Sequence, residues 1–128
     1  ETFYMLLTFD FSSDTPLYIQ LRNQIIIGIA DGRLISGEKL PTVRALAEES
    51  GINTMTVSKA YQLLKAEGYL VTDRRAGAVV RAPRGKAAGL SADQTARLKL
   101  LAGEARLAGL TLDDFVAACK AAFGETED

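Results

Sequence analysis

Histidine is absent from this 128-residue chain, and cysteine occurs once, as Cys119. The first absence removes every catalytic scheme that depends on imidazole. The second rules out an intramolecular disulfide, and one thiol without histidine leaves little from which to build a zinc site. No carboxylate pair stands out as acid and base, since Asp113 with Asp114 and Glu48 with Glu49 read as cap and solvated-face residues. The expectation is a protein that is not an enzyme and that needs no metal or other cofactor. Long apolar runs are also missing. None approaches the roughly 18–20 residues of a membrane helix, and no charged-then-apolar leader opens the chain, which predicts a cytoplasmic protein without membrane contact. An excess of one charge is lacking too, the formal total being -1.

That balance conceals a segregation. Residues 1–73 carry six basic and nine acidic side chains, residues 74–106 eight and two, and residues 107–128 one and five, so the three segments net -3, +6 and -4. A phosphate backbone responds to local charge, and the basic middle keeps a nucleic-acid partner open. Hydrophobic residues make up 48% of the chain, enough for the core of one domain, or of one small domain with an appendage, and too many for a disordered chain.

The pattern divides into an arm over 1–13, a helical domain with a hairpin over 14–82, a linker over 83–90 and a helical region over 91–128. In the arm, Phe3, Tyr4, Leu6, Leu7, Phe9 and Phe11 are apolar, and Phe9, Asp10 and Phe11 alternate as a short extended segment does; Met5 is a candidate natural start. Thr15 is expected to cap the first helix, with Pro16 at its first position, where a missing N–H does no harm. Leu17, Leu21, Ile25 and Ile29 recur at every fourth residue, and Tyr18, Ile26 and Ala30 widen the stripe into a broad core face. Gly32 stops it.

Thr42 caps a short helix that turns Val43, Leu46 and Ala47 inward, and Gly51 ends it in a conformation other residues resist. Asn53 starts the next helix, with the Thr56 N–H in reach of its side chain. Val57, Ala60, Tyr61 and Leu64 form the inward face, and Gly68 closes it. Two helices joined by a short turn holding Gly are a helix-turn-helix, and the small Ala47 lets them cross closely. Two β-favourable runs, Tyr69 to Thr72 and Ala78 to Arg81, flank a link with Arg74, Arg75 and Gly77, which predicts a hairpin with a basic tip. Pro83, Gly85 and Gly89, with Arg84 and Lys86, make the linker a flexible connection. Ser91 with Gln94 and Thr111 with Asp114 are capping-box patterns that open two final helices, the first ended by Gly109. Their apolar residues, among them Leu98, Leu101, Leu107, Phe115, Val116, Cys119 and Phe123, are too many for two helices to hide between themselves. A covering surface is needed, either the first domain or a second copy. Cys119 reads as a buried small hydrophobe rather than a redox group.

The helix beginning at Asn53 presents Thr54, Met55, Thr56, Ser58 and Lys59 outward, with Gln62 a turn further on. Side chains this short let a helix enter a major groove, where hydroxyls and amides meet base edges and methyls meet thymine. Arg44 is placed to reach phosphate or a guanine edge, and Arg74 and Arg75 to reach an adjacent minor groove. Singly, each has an ordinary explanation: local capping for the hydroxyls and solvation for the arginines. Tyr61, Leu64 and Tyr69 read as core. The order of elements is what points to a duplex.

That order resembles the winged helix-turn-helix of the GntR family of bacterial transcription regulators. The matching residues include Pro16, Leu17, Tyr18 and Leu21, then the run Gly37, Leu40, Pro41, Thr42, Arg44, Leu46 and Ala47, then Gly51, Thr56, Val57, Ala60, Tyr61, Leu64, Gly68 and Gly77. The resemblance implies that Arg44, Thr54, Thr56 and the wing around Gly77 contact operator DNA. Thr54 and Ser58 stand where some relatives carry Arg, so base preference does not carry across. The short tail is similar to the YtrA-like branch, in which a small helical region mediates dimerisation. Two helices are too little to enclose an effector pocket of several hundred cubic ångströms, roughly the usual ligand-site volume, and no constellation selects a small-molecule effector.

The expected function is therefore a homodimeric, cytoplasmic DNA-binding regulator, more a repressor than an activator, on an inverted-repeat operator. The resemblance further implies control of a transporter operon. Two other readings compete: a winged-helix interaction or RNA-binding module, and the DNA-binding head of a longer regulator. Against the latter, the capped final helices and the acidic ending lead us to expect a complete chain.

Overall fold

The computed structural model describes residues 7–75, 77–82, 85 and 87–124. The start of the arm (1–6), Ala76 at the hairpin tip, Pro83, Arg84 and Lys86 of the linker, and the acidic ending (125–128) lie outside the described residues. The chain divides into two compact units, Glu1–Arg84 and Gly85–Asp128.

The first unit is built on α1 (Leu17–Ala30), α2 (Val43–Ser50) and α3 (Thr54–Ala66), followed by the antiparallel strands β1 (Leu70–Asp73) and β2 (Gly77–Val80). The periodic stripe of α1 faces inward, with Leu21 and Ile25 buried and Leu17, Tyr18, Ile26 and Ile29 packed partly against the core. Its start differs from expectation. Pro16 itself is the N-cap, in extended backbone, and no side chain caps the helix. The Pro16 carbonyl accepts from the N–H groups of Ile19 and Gln20, and that role needs no N–H of its own. Thr15 is drawn instead into the path of the arm, where its carbonyl accepts from Gln20 Nε2 at 2.8 Å.

The extended arm is held to α1 by two glutamine amides, each of which pairs with both main-chain groups of one arm residue. Gln24 accepts from the Thr8 N–H at 3.0 Å and donates to the Thr8 carbonyl at 2.6 Å. One turn earlier, Gln20 does the same with the N–H and carbonyl of Asp10, both at 2.9 Å. Leu7 and Phe9 thereby pack against the core, while Phe11 beyond them is exposed.

The helix-turn-helix forms as its caps dictate. Thr42 Oγ1 accepts from the Ala45 N–H at 3.1 Å, and Gly51 ends α2 at φ 70°, where an L side chain is strained. Asn53 caps α3 through the Met55 N–H at 2.7 Å, not through that of Thr56, which bonds the Asn53 carbonyl instead. The cap residue is the expected one, and its side chain takes the N–H one residue earlier than expected, both being within reach of an Asn side chain. Val57, Ala60, Tyr61 and Leu64 are buried, and Leu46 and Ala47 of α2 lie in the same core. Burying a side chain such as Leu64 contributes about 1.5–3 kcal/mol. Arg22 of α1 grips Glu67, at the end of α3, through Nε at 2.8 Å and NH2 at 2.7 Å, the two-point geometry that gives an exposed ion pair its best chance of mattering.

The hairpin pairs Leu70 with Val80, Val71 with Val79, Thr72 with Ala78 and Asp73 with Gly77. The strands begin one residue later and earlier, respectively, than the β-favourable runs. Tyr69 stays outside β1, half-buried against the core instead of within it, although its carbonyl continues the ladder to the Arg81 N–H. A third chain segment joins the far side of β2, which the sequence pattern did not suggest. Lys39 bridges Val79, the Leu40 N–H bonds the Ala78 carbonyl, and the Val80 N–H bonds the Glu38 carbonyl. The wing is therefore tied to the segment that leads into α2.

The second unit is a helical hairpin of α4 (Ala92–Leu107) and α5 (Leu112–Phe123), each opened by a complete capping box, Ser91 with Gln94 and Thr111 with Asp114. The Asp114 carboxyl is held below its usual pKa by the hydrogen bonds with Thr111. Neither helix contains a buried residue. Ala102, Ala105 and Phe115 are only half-covered, where α4 and α5 face an open cleft. Leu98, Leu101, Leu107, Val116 and Phe123 are exposed, and so is Cys119, against the expectation of a buried thiol. A two-helix hairpin has no third wall to cover that position.

Candidate nucleic-acid interface

Helix α3 carries the candidate reading face because its opposite side is committed to the core. With Val57, Ala60, Tyr61 and Leu64 inward, the helical period turns Met55, Ser58, Lys59 and Gln62 toward the other side, while Thr54, in register with Val57 and Tyr61, is exposed because it opens the helix. Thr54, Met55 and Lys59 are exposed and Thr56 and Ser58 half-exposed, and Met55 shows 77% of its surface. Ser58 and Gln62 are joined by a hydrogen bond of 3.2 Å, which aligns a hydroxyl and an amide along the face.

Two clefts flank this face and share Ser58 and Gln62. One lies toward α1, walled by Tyr18 together with Met55, Thr56 and Lys59. The other lies toward the wing, walled by Thr42, Lys65, Thr72 and Gly77. In the second, Lys65 Nζ meets Thr72 Oγ1 at 3.0 Å, a direct link from the recognition helix to β1. Tyr61 supports both helices from beneath. Its phenol donates to the Pro41 carbonyl at 2.8 Å, and burial pushes its pKa far above the ordinary tyrosine range.

The clefts bring together Met55, Thr56, Ser58, Lys59 and Gly77 of the residues singled out from the sequence. Arg44, Thr54, Arg74 and Arg75 are exposed on their own elements and line neither cleft. The wing tip is shaped by Asp73, whose Oδ1 accepts from the Arg75 N–H at 2.7 Å, and Gly77 follows at φ 80°. Among the described residues the Arg44, Arg74 and Arg75 side chains enter no ion pair. Sequence reasoning placed Tyr18 in the core stripe, where it packs in part, but did not foresee that it also walls a cleft, and it missed the contact of Lys65 with Thr72. Both belong to contacts between elements that no local pattern encodes. No group of side chains suited to a metal ion occurs among the described residues, and no described helix is long and apolar enough to cross a membrane.

A helix-turn-helix whose second helix keeps a polar outer face, followed by a hairpin packed beside it, is a winged helix-turn-helix, a DNA-binding module. Residues 17–80 match the family model described as bacterial regulatory proteins, gntR family. The chain is 36% identical to the HTH-type transcriptional regulator Rv1152 of Mycobacterium tuberculosis, over 82% of this chain and 84% of that protein. YdeL of Bacillus subtilis, an uncharacterized HTH-type transcriptional regulator, is 44% identical over 50% of this chain, which spans only 14% of its length. Among solved structures, YtrA from Sulfolobus acidocaldarius, a GntR-family transcription factor, superposes with a TM-score of 0.61 at 35% identity, covering 77% of this chain and 97% of that one. The AraR DNA-binding domain in complex with operator ORX1 superposes with a TM-score of 0.51 at 26% identity, over 57% of this chain and 92% of that one. The chain belongs to the GntR family of DNA-binding transcription regulators, which are not enzymes.

Proposed function

We propose that the protein is a homodimeric, cytoplasmic repressor that binds an inverted-repeat operator in double-stranded DNA and occludes a promoter. The observation that carries the reading is the continuous polar face of α3, from Met55 to Gln62, bounded by the wing on one side and Tyr18 on the other. In this reading Thr54, Met55, Thr56 and Ser58 enter the major groove and select bases. Arg44 and Lys59 neutralise phosphates, and Arg74 and Arg75 of the wing reach the neighbouring minor groove, with Gly77 letting the hairpin approach closely. The operator complex of the AraR domain supports a duplex as the partner.

Homodimerisation rests on the second unit. Leu98 and Leu101 of α4 and Val116 and Phe123 of α5 expose apolar surface that a single hairpin leaves wet, and Phe115 and Cys119 lie on the same helix pair. A twofold partner would cover that surface and set two reading helices about one DNA turn, roughly 34 Å, apart. The family resemblance extends this reading to control of a transporter operon.

The test is selection of bound duplexes from a randomised library at two salt concentrations. An enriched inverted repeat that persists at the higher salt supports the reading. A pool that stays random, with binding lost to salt, replaces it with an interaction module held only by phosphate attraction.

A further inference from the structure

The cleft between α1 and α3 has a wall that the reading face does not need. Tyr18, in the first turn of α1, is half-buried against the core and turns its ring toward α3. The ammonium of Lys59 sits 4.5 Å from the centre of that ring. This distance lies well within the roughly 6 Å over which an aromatic face attracts a cation. Lysine is a flexible side chain that loses rotamer entropy when fixed, so a cation held in place before binding loses less when it binds. The remaining walls are Met55, Thr56, Ser58 and Gln62, which offer hydroxyl and amide groups and no carboxylate. A recess with one ordered cation, neutral hydrogen-bonding groups and no negative charge suits a phosphate oxygen.

We propose that this cleft seats a DNA backbone phosphate on Lys59 and that Tyr18 is the positioning residue that orders Lys59 for it. The proposal rests on the DNA-binding reading but adds to it a residue of α1, outside the helix-turn-helix. Tyr18 acts through Lys59, so its effect on binding depends on Lys59 being present.

The experiment is a double-mutant cycle read by fluorescence anisotropy on a mixed-sequence duplex of about three helical turns, across a salt series. Thermal melting of each variant checks folding. Lys59→Gln is expected to weaken binding and to reduce the slope of log affinity against log salt by about 0.9 for each phosphate that is no longer neutralised. Tyr18→Leu is expected to weaken binding by about two- to fivefold, the strength of an exposed cation–π interaction, while Tyr18→Phe, which keeps the ring, binds as the wild type does. In the Lys59→Gln background, Tyr18→Leu should have no further effect on affinity. Equal weakening by Tyr18→Leu in both backgrounds overturns the proposal, because a purely structural role of Tyr18 does not require Lys59. An unchanged salt slope for Lys59→Gln overturns it as well. If Tyr18→Leu fails to fold, the wild-type proton spectrum decides: the Lys59 ε-methylene signals should be shifted upfield by the ring, and unshifted signals reject the arrangement. A wild-type protein that binds no duplex even at low salt rejects the DNA-binding reading itself. Wild-type binding with an additive cycle rejects only the role of Tyr18.

Discussion

Tyr61 is the place where the helix-turn-helix packing can be weighed by one substitution and one titration. The residue is 5% exposed and donates its only proton to the Pro41 carbonyl at 2.8 Å, tying α3 to the segment that leads into α2. At neutral pH, Tyr61→Phe removes a hydrogen bond with a net value of about 0.5–1.5 kcal/mol and leaves a half-buried carbonyl without its donor, so about 1–2 kcal/mol should be lost. For a unit of this size that corresponds to a fall in Tm of about 4–8 °C per kcal/mol. Alkaline pH should reverse the ranking. The unfolded chain releases the Tyr61 proton near pH 10, roughly the ordinary tyrosine value, whereas burial raises the folded value. Above about pH 10 the folded state therefore binds more protons than the unfolded one, and stability falls as pH rises, by up to about 1.4 kcal/mol per unit. Below that pH the contribution is fully present. The wild type should lose its advantage over the Phe variant about one unit above pH 10. Urea titrations followed by far-UV circular dichroism, at matched protein concentration, measure both limbs. A difference between the two proteins that stays constant from neutral to alkaline pH would refute the buried, hydrogen-bonded phenol.

Four further substitutions probe the caps, the core and the two proposed surfaces. Asn53→Ala removes the cap on the Met55 N–H and should cost about 0.5–2 kcal/mol in urea denaturation; an unchanged midpoint would mean that the cap contributes nothing. Ser50→Ala should stabilise the unit by up to about 1 kcal/mol, because the Ser50 hydroxyl is buried with no hydrogen-bond partner among the described residues, and a lowered Tm would contradict this. Arg44→Ala should weaken binding to the selected operator by about 1–3 kcal/mol with the melting curve intact; full affinity in the folded variant removes Arg44 from the interface. Val116→Glu should weaken self-association at least about tenfold, or 1.4 kcal/mol, measured by light scattering across a dilution series. A dimer as tight as the wild type would place the interface elsewhere.

The parts of the fold that were legible from the sequence are those whose cause is local. Thr42, Ser91 with Gln94 and Thr111 with Asp114 each satisfy orphan N–H groups within one helical turn, and all cap as their spacing predicts. The inward face of α3 was likewise fixed by its period. Where distant segments meet, local pattern failed. Thr15 gave up its expected cap to the packing of the arm, and the pairing of Lys39 with Val79 joins segments that carry no shared pattern. Tyr18 has the spacing of a core residue and is one in part, yet its ring also receives Lys59 from a helix far along the chain. The exposure of Cys119 has a similar origin, since apolar spacing marks a face that wants covering but does not say that the same chain covers it.

The two glutamines of α1 carry a lesson in commensurate lengths. Four residues along a helix advance about 6.0 Å and two along an extended strand about 6.6 Å, close enough for amides at positions 20 and 24 to meet backbone at positions 10 and 8 without distortion. Both amides address only main-chain groups, so the clamp is indifferent to which side chains residues 8 and 10 bear. What it does measure is register. An arm shifted by one residue would present both amides with backbone groups pointing the wrong way, whereas a shift of two would restore the pairing. Thr8 can therefore change its side chain without loosening the clamp, whereas Asp10 Oδ1 also accepts from the N–H and hydroxyl of Ser12, and a single inserted residue would do more damage there than a substitution at position 8.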